Sequence, residues 1–306
     1  MNQYAYCIGG IGINFFLEPP IFLKKEKVSV PFETEPKQGV DLLFHVTEDS
    51  FPKDGKICYQ DERCIILEVQ GQIYRYQGVL DTGGDFLWRS RITLKQESQN
   101  VFPVFIHAQS GRKEEQYLTE KQLLTMAGFE YLMVHRKRVI LHASLINFQN
   151  QGIVFSAPSG TGKSTQADLW KRRYPIVEII NGDRVILSCE NGRGMAHGLP
   201  FCGTSGIALN CTIPLTAVII LRQARENRVW TPVPLEAIKA LLSECAVDIW
   251  DTEGMEIVIR LLAEILRTVP VYIYECLPDA SAAEFLKLFL EKEGVLQGEK
   301  KRRYES

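Results

Sequence analysis

At 306 residues the chain is long enough for one large domain or two of ordinary size, and its 45% hydrophobic and 24% charged composition is that of a globular protein with a sizeable core. A formal net charge of −2 removes any broad electrostatic case for a nucleic-acid partner. No apolar run is long enough to span a membrane, Met1-Asn2-Gln3-Tyr4-Ala5-Tyr6 lacks the positive segment of a secretory signal, and eight scattered cysteines without C-x-x-C spacing signal neither zinc nor a redox pair, so a cytoplasmic protein with reduced thiols is expected.

Residues 1–136 read as β-rich. Ile11 to Leu17, Val40 to Val46, Cys64 to Val69 and Phe86 to Ile92 are strand-like, and turn clusters such as Asp54-Gly55 and Asp81-Thr82-Gly83-Gly84 separate them. Gly9-Gly10-Ile11-Gly12 is not followed by a helix, so it reads as a turn or bulge rather than a dinucleotide loop. His45 and His107 are isolated and carry no visible chemistry. Thr119-Glu120-Lys121-Gln122 is a capping-box pattern, and the apolar run from Leu123 to Leu132 continues it as a helix. A charged link at Arg136-Lys137-Arg138 marks the boundary, giving a β-rich region over 1–137, whose role is left open with acceptor recognition as one candidate, and a second domain over 138–306.

The second part opens with a strand from Val139 to Ile146, a polar turn, and a second strand from Gly152 to Ser156. A hairpin centred on Gln149 sets His142 opposite Ser156. The histidine is then either an ionisable group near a bound phosphate or simply satisfied within its strand. The run Ala157-Pro158-Ser159-Gly160-Thr161-Gly162-Lys163-Ser164-Thr165 follows, and Gln166 to Arg173 reads as a helix ending before Pro175. This is a P-loop with Ala in place of the usual first Gly. Its glycines let backbone N–H groups turn inward, and the helix N-terminus adds partial positive charge. Ser159, Gly160, Thr161, Gly162, Lys163, Ser164 and Thr165 are the expected nucleotide-binding residues, with Lys163 on the β- and γ-phosphates and the Ser164 hydroxyl on Mg²⁺.

Ile176 to Ile180 reads as a parallel strand beside the P-loop, ending in Asn181-Gly182-Asp183-Arg184. Asp183 stands where a Mg²⁺-side carboxylate is expected, and it is also placed to take the proton of an attacking hydroxyl. Asn191-Gly192 makes a hairpin turn, and the small-residue stretch from His197 to Ile207 is either a ligand-approaching loop or an ordinary surface loop. Ala217 to Leu221 is a strand ending in Arg222, near Arg225 and Arg228. Leu235 to Asp248 and Thr252 to Arg267 have helical spacing, which makes Asp248 and Asp251 decoys at a helix end. Val269 to Tyr274 is a strand, with Pro270 marking an edge or a strand start, and Ala280 to Glu293 is an amphipathic helix. Lys300-Lys301-Arg302-Arg303 reads as a solvated tail.

His142 before a hairpin, the P-loop, Gly182-Asp183-Arg184-Val185, and the Gly203-Thr204-Ser205-Gly206-Ile207 loop form an ordered pattern. Over roughly residues 138–225 it resembles the C-terminal domain of the HPr kinase/phosphorylase family, which shares a core with phosphoenolpyruvate carboxykinases. The resemblance implies an α/β P-loop core with a mixed sheet, ATP and Mg²⁺ as cofactors, and phosphoryl transfer to a seryl hydroxyl of a protein, peptide or small metabolite. It makes Asp183, Lys163 and His142 the catalytic set, and Ser164 and Asp183 the metal ligands. Two departures stand out. The family's paired acids are reduced to Gly182-Asp183, and the loop differs from the family's Arg-Gly-Leu-Gly-Ile signature, so neither phosphorolysis nor HPr is carried over. The alternative is an ATP-binding regulatory module with little transfer. A carboxykinase activity is disfavoured because no Lys/His pair for a second metal is evident. Self-association is left open.

Overall fold

The computed structural model describes residues 1–47, 54–80, 86–94, 100–108, 116–203 and 205–297. Asp81 to Gly84, Thr204 and the basic run at 300–303 lie outside the described residues. Two compact units are present: residues 1–132 with 248–252, and residues 133–247 with 253–306.

In the first unit the strands are β1 (Asn2–Ile8), β2 (Ile11–Leu17), β3 (Ile21–Leu23), β4 (Gly39–Thr47), β5 (Lys56–Gln60), β6 (Cys64–Val69), β7 (Gln72–Leu80), β8 (Phe86–Leu94), β9 (Val101–Ala108) and β10 (Gln116–Leu118). Eight of them form one sheet, in the order β1-β2-β4-β9-β8-β7-β6-β5. β4 shows the period of two that a half-buried strand requires: Val40, Leu42 and Phe44 are buried and the residues between them are not. Gly9 and Gly10 make the β1–β2 turn at positive φ, so the glycine pair is a hairpin device. The capping box is present at Thr119 and opens α1 (Glu120–Met126). The helix does not run on to Leu132. Gly128, at φ +68°, ends it and α2 (Phe129–Val134) begins anew.

The second unit holds β11 (Arg138–Phe148), β12 (Gly152–Ser156), α3 (Lys163–Arg173), β13 (Val177–Asn181), β14 (Arg184–Glu190), β15 (Arg193–His197), β16 (Thr212–Gln223), β17 (Arg228–Trp230), α4 (Pro234–Leu242), β18 (Cys245–Ala246), α5 (Thr252–Thr268), β19 (Val271–Cys276) and α6 (Ala280–Lys292). They build a nine-stranded mixed sheet. Its two long strands each serve several partners. β11 pairs β14 through its first half and β12 through its second, and β16 pairs β15, then β12 and β19. One face packs α3 and α6 through Phe148, Phe155, Trp170, Tyr274 and Leu286. On the other, Leu241, Val258, Leu262 and Ile265 of α4 and α5 meet Leu141, Leu187 and Val218.

Three expectations are corrected here, and one alternative is decided. The β11–β12 hairpin is one residue out of the expected register: Ala143, not His142, lies opposite Ser156. The turn is a two-residue loop with Gln149 and Asn150 both at positive φ and Phe148 and Gln151 exchanging backbone bonds, so its centre falls between two residues. β13 is not adjacent to β12. Both run antiparallel to β11, which separates them, and the parallel neighbour of β12 is β16. The helix expected over 235–248 stops at Leu242, because residues 245–246 extend and pair with Ile140 and Leu141 of β11. Finally, β19 lies between β16 and β17, so Pro270 marks its start and not an edge.

Candidate active site

Buried strand β12 delivers the chain into a loop whose residues 158–160 are exposed. Gly160 and Gly162 take φ of +78° and +117°, a region that side chains disfavour, and α3 starts at Lys163 with its free N–H groups at the loop. Lys163 is 6% exposed. Its Nζ donates to the Ala157 carbonyl at 2.7 Å and to Pro158 at 3.1 Å. Burial lowers its pKa, and the carboxylates of Glu244 and Asp183 pull it back up. Ser164 Oγ donates to the Gly182 carbonyl at 3.1 Å, which ties the first turn of α3 to the segment carrying Asp183. Gln223, at the end of β16, donates to the carbonyls of Gly160 and Thr161 at 3.3 Å each.

β13 and β14 run as one line along β11: Leu145 faces Asn181 and His142 faces Arg184. Gly182 and Asp183 interrupt that line. Asn181 holds the interruption in place. Its buried Oδ1 accepts from the backbone N–H of Asp183 and Arg184, at 2.9 and 3.0 Å, while its Nδ2 donates to the Leu199 and Phe201 carbonyls at 3.0 Å each. The half-exposed Asp183 carboxylate then has His142 Nε2 at 3.7 Å from Oδ1 and Arg184 Nε at 3.7 Å from Oδ2. The small-residue loop does approach this point: a Cβ on Gly203 would stand 2.8 Å from the Asp183 carboxyl carbon.

His142 and Asp183 therefore meet, although the hairpin register set the histidine at the loop after β12. The histidine belongs beside Asp183, across the β11–β14 pair. Its Nδ1 lies 3.2 Å from Glu244 Oε2, and its backbone N–H donates to the Glu244 carbonyl at 2.9 Å. Neither Glu244 nor Asn181 was singled out from sequence. Asn181 sits within the Asn-Gly-Asp-Arg turn, where an asparagine two residues before an aspartate is a readable turn signal. Glu244 lies 102 residues from His142 in the chain and carries no local signal at all. Of the arginines near the end of β16, Arg222 pairs with Glu236 at 3.1 Å and, with Arg228, stacks over Trp230. Asp248 and Asp251 belong to the other unit.

Two cavities flank Ser243. One of about 560 Å³ is lined by Ser156 to Thr161, the end of β16, Ala240 and Ser243. The other, about 250 Å³, is lined by Ile140, His142, Asp183, Arg184, Glu244 and neighbours of Ser243. The first is lined mainly by the loop and the end of β16, and the second includes the ionisable residues His142, Asp183, Arg184 and Glu244. Among the described residues no three His, Cys, Asp or Glu side chains are grouped so as to hold a metal, and no helix is long and apolar enough to cross a membrane.

No family model matches the chain, and no curated protein matches it. Among solved structures it is similar to the HPr(Ser) kinase/phosphatase from Coxiella burnetii, at 12% identity and a TM-score of 0.29, over 51% of this chain and 96% of that one. At that identity and score the likeness carries no argument about what the site does.

Proposed function

We propose that the chain is an ATP- and Mg²⁺-dependent kinase that moves the γ-phosphoryl group onto a hydroxyl, serine foremost, of a peptide, protein or small metabolite. The observation that carries this reading is the joint between the start of α3 and the Asp183 turn: Ser164 Oγ on the Gly182 carbonyl at 3.1 Å, with Asp183 the next residue. A phosphate-binding loop and a carboxylate held side by side are what in-line phosphoryl transfer needs from a protein.

Mg²⁺ suits the donor set. It takes hard oxygen ligands and keeps waters and substrate phosphates in its shell, so the Ser164 hydroxyl and the Asp183 carboxylate are a sufficient protein contribution. When bound it supplies neutralisation of the phosphate charge. The backbone of residues 159–164 orients the phosphates. Lys163 exchanges the loop carbonyls it now holds for phosphate oxygens, so its buried charge stays compensated. Asp183 receives the hydroxyl proton, with His142 beside it. The 560 Å³ cavity at the loop takes the nucleotide, and the 250 Å³ cavity at Asp183 takes the acceptor hydroxyl.

One observation favours the second reading, an ATP-binding regulatory module. A Cβ on Gly182 would stand 2.8 Å from the Cβ and Oγ of Ser205, so this chain packs a serine against the position where the family it resembles carries an acid. Incubating wild type and Asp183→Asn with Mg·ATP and an extract of small molecules and peptides, followed by mass spectrometry, separates the two. A phosphorylated product made only by wild type supports the kinase. Tight ATP binding by both proteins with no product supports the module.

A further inference from the structure

Among the described residues that line the 560 Å³ cavity, Arg222 is the one that carries a charge. The sheet places it there. Ile220 lies opposite Ser156, the last residue of β12, so the end of β16 runs on beside the start of the loop. Side chains alternate along a strand. Gln223 turns to the loop and donates to the Gly160 and Thr161 carbonyls. Arg222 turns the other way, with Ile220, toward α4, whose Ala240 and Ser243 also line the cavity.

The partners that hold this guanidinium are weak ones. Its Nη2 lies 3.1 Å from Glu236 Oε1, with both side chains close to half exposed, and its Cζ stands 5.6 Å from the centre of the Trp230 ring. Water screens an exposed ion pair of this kind, so it contributes little. Arg228 crowds the same ring at 5.4 Å, and Glu275 lies opposite both arginines in the sheet. Glu236 does not depend on Arg222 for its charge. It lies in the first turn of α4, where the helix N-terminus favours an anion. Arg222 can therefore exchange this carboxylate for another anion at small cost.

We propose that Arg222 is a further nucleotide-binding residue, which leaves Glu236 for the phosphate oxygens of a nucleotide seated in the cavity, and that Glu236 competes with the nucleotide for the same cation. The proposal rests on the reading of this cavity as the nucleotide site. A nucleoside triphosphate brings more negative charge than Lys163 and one divalent ion offset. A planar guanidinium grips phosphate through two parallel N–H donors, a stronger contact than a screened carboxylate gives.

The test is calorimetric binding of Mg·ATP to the full-length protein. Arg222→Met keeps an unbranched stem against Trp230 but drops the charge, and it should weaken binding about tenfold. Arg222→Lys, a cation without the fork, should fall between Arg222→Met and wild type, and it carries the comparison if urea unfolding shows Arg222→Met to be destabilised. Glu236→Gln should tighten binding about threefold in the wild-type background and leave it unchanged in Arg222→Met. Wild-type affinity in the Arg222 variants overturns the proposal. Equal tightening by Glu236→Gln in both backgrounds also overturns it, because the glutamate would then act as a general repulsive charge. If wild type binds no Mg·ATP, the nucleotide reading of the cavity fails and the proposal falls with it; if wild type binds and the Arg222 variants bind equally well, the proposal alone fails.

Discussion

Lys163 and Asp183 differ in what their removal should do. On the kinase reading, Lys163→Ala deletes a buried cation at the start of α3, and ATP turnover should fall at least about a hundredfold, together with weaker nucleotide binding. On the same kinase reading, Asp183→Asn keeps shape and hydrogen bonding but removes the carboxylate, so calorimetric ATP binding should persist while transfer falls about a hundredfold or more. Full transfer by Asp183→Asn would remove the mechanism. Asn181 acts one step back. All four of its hydrogen bonds serve backbone groups of the Asp183 turn and the 199–201 segment. Asn181→Ala leaves those groups unpaired in a fully buried place, and a loss of about 3 kcal/mol in urea unfolding is expected. Retained stability with lost activity would instead mean that the turn rearranges locally.

At the scale of elements, β14, β15 and β16 are joined by a buried histidine that the sequence reading placed in a loop. His197 ends β15, is 1% exposed, and lies between Ser188 Oγ at 2.8 Å and Thr212 Oγ1 at 2.9 Å. Burial pushes its pKa down from 6.5 to about 4, because a charged ring would lose its hydration there; Glu190 opposes the shift in part. The folded ring therefore binds its proton later than the unfolded one as pH falls. The stability it contributes is complete above the unfolded value of 6.5 and is lost as pH falls toward 4. The size is on the order of 3 kcal/mol, at about 1.4 kcal/mol for each pH unit separating the two values. Urea midpoints measured across that window should slope upward with pH in wild type and less steeply in His197→Gln. Equal slopes would assign the dependence to the carboxylates.

At the scale of the whole molecule, the two units are not separated by a single cut in the chain. Residues 248–252 return to the first unit, where Trp250 stacks on Tyr131 with centroids 5.9 Å apart and Asp251 is buried. A fragment beginning at residue 133 keeps this segment and loses its partners. It should express with poor solubility, and replacing residues 248–252 by a Gly/Ser linker should improve recovery of soluble protein. If the unmodified fragment is as soluble as the full chain, the segment contributes little to the first unit.

Local chemistry was readable wherever it is short-ranged. The strands at residues 11–17 and 64–69, the Thr119 capping box, the glycine turn at 9–10 and the strand–loop–helix around Lys163 each depend on neighbours a few residues away, and each stands where its residues implied. The mixed α/β character followed from the same local periods. Distances along the chain were the limit. The one-residue hairpin shift turned on whether the loop closes on one residue or two, a choice set by positive φ at Gln149 and Asn150. The helix after Leu235 had the apolar spacing to continue, but pairing of residues 245–246 with β11 ended it and carried Glu244 to His142 across 102 residues of chain. Propensity is a matter of tenths of a kcal/mol per residue, and strand pairing with burial outweighs it. So the glycine-containing loop before α3 and the Asp183 turn were written in the sequence, while the company Asp183 keeps was fixed by the closing of the sheet.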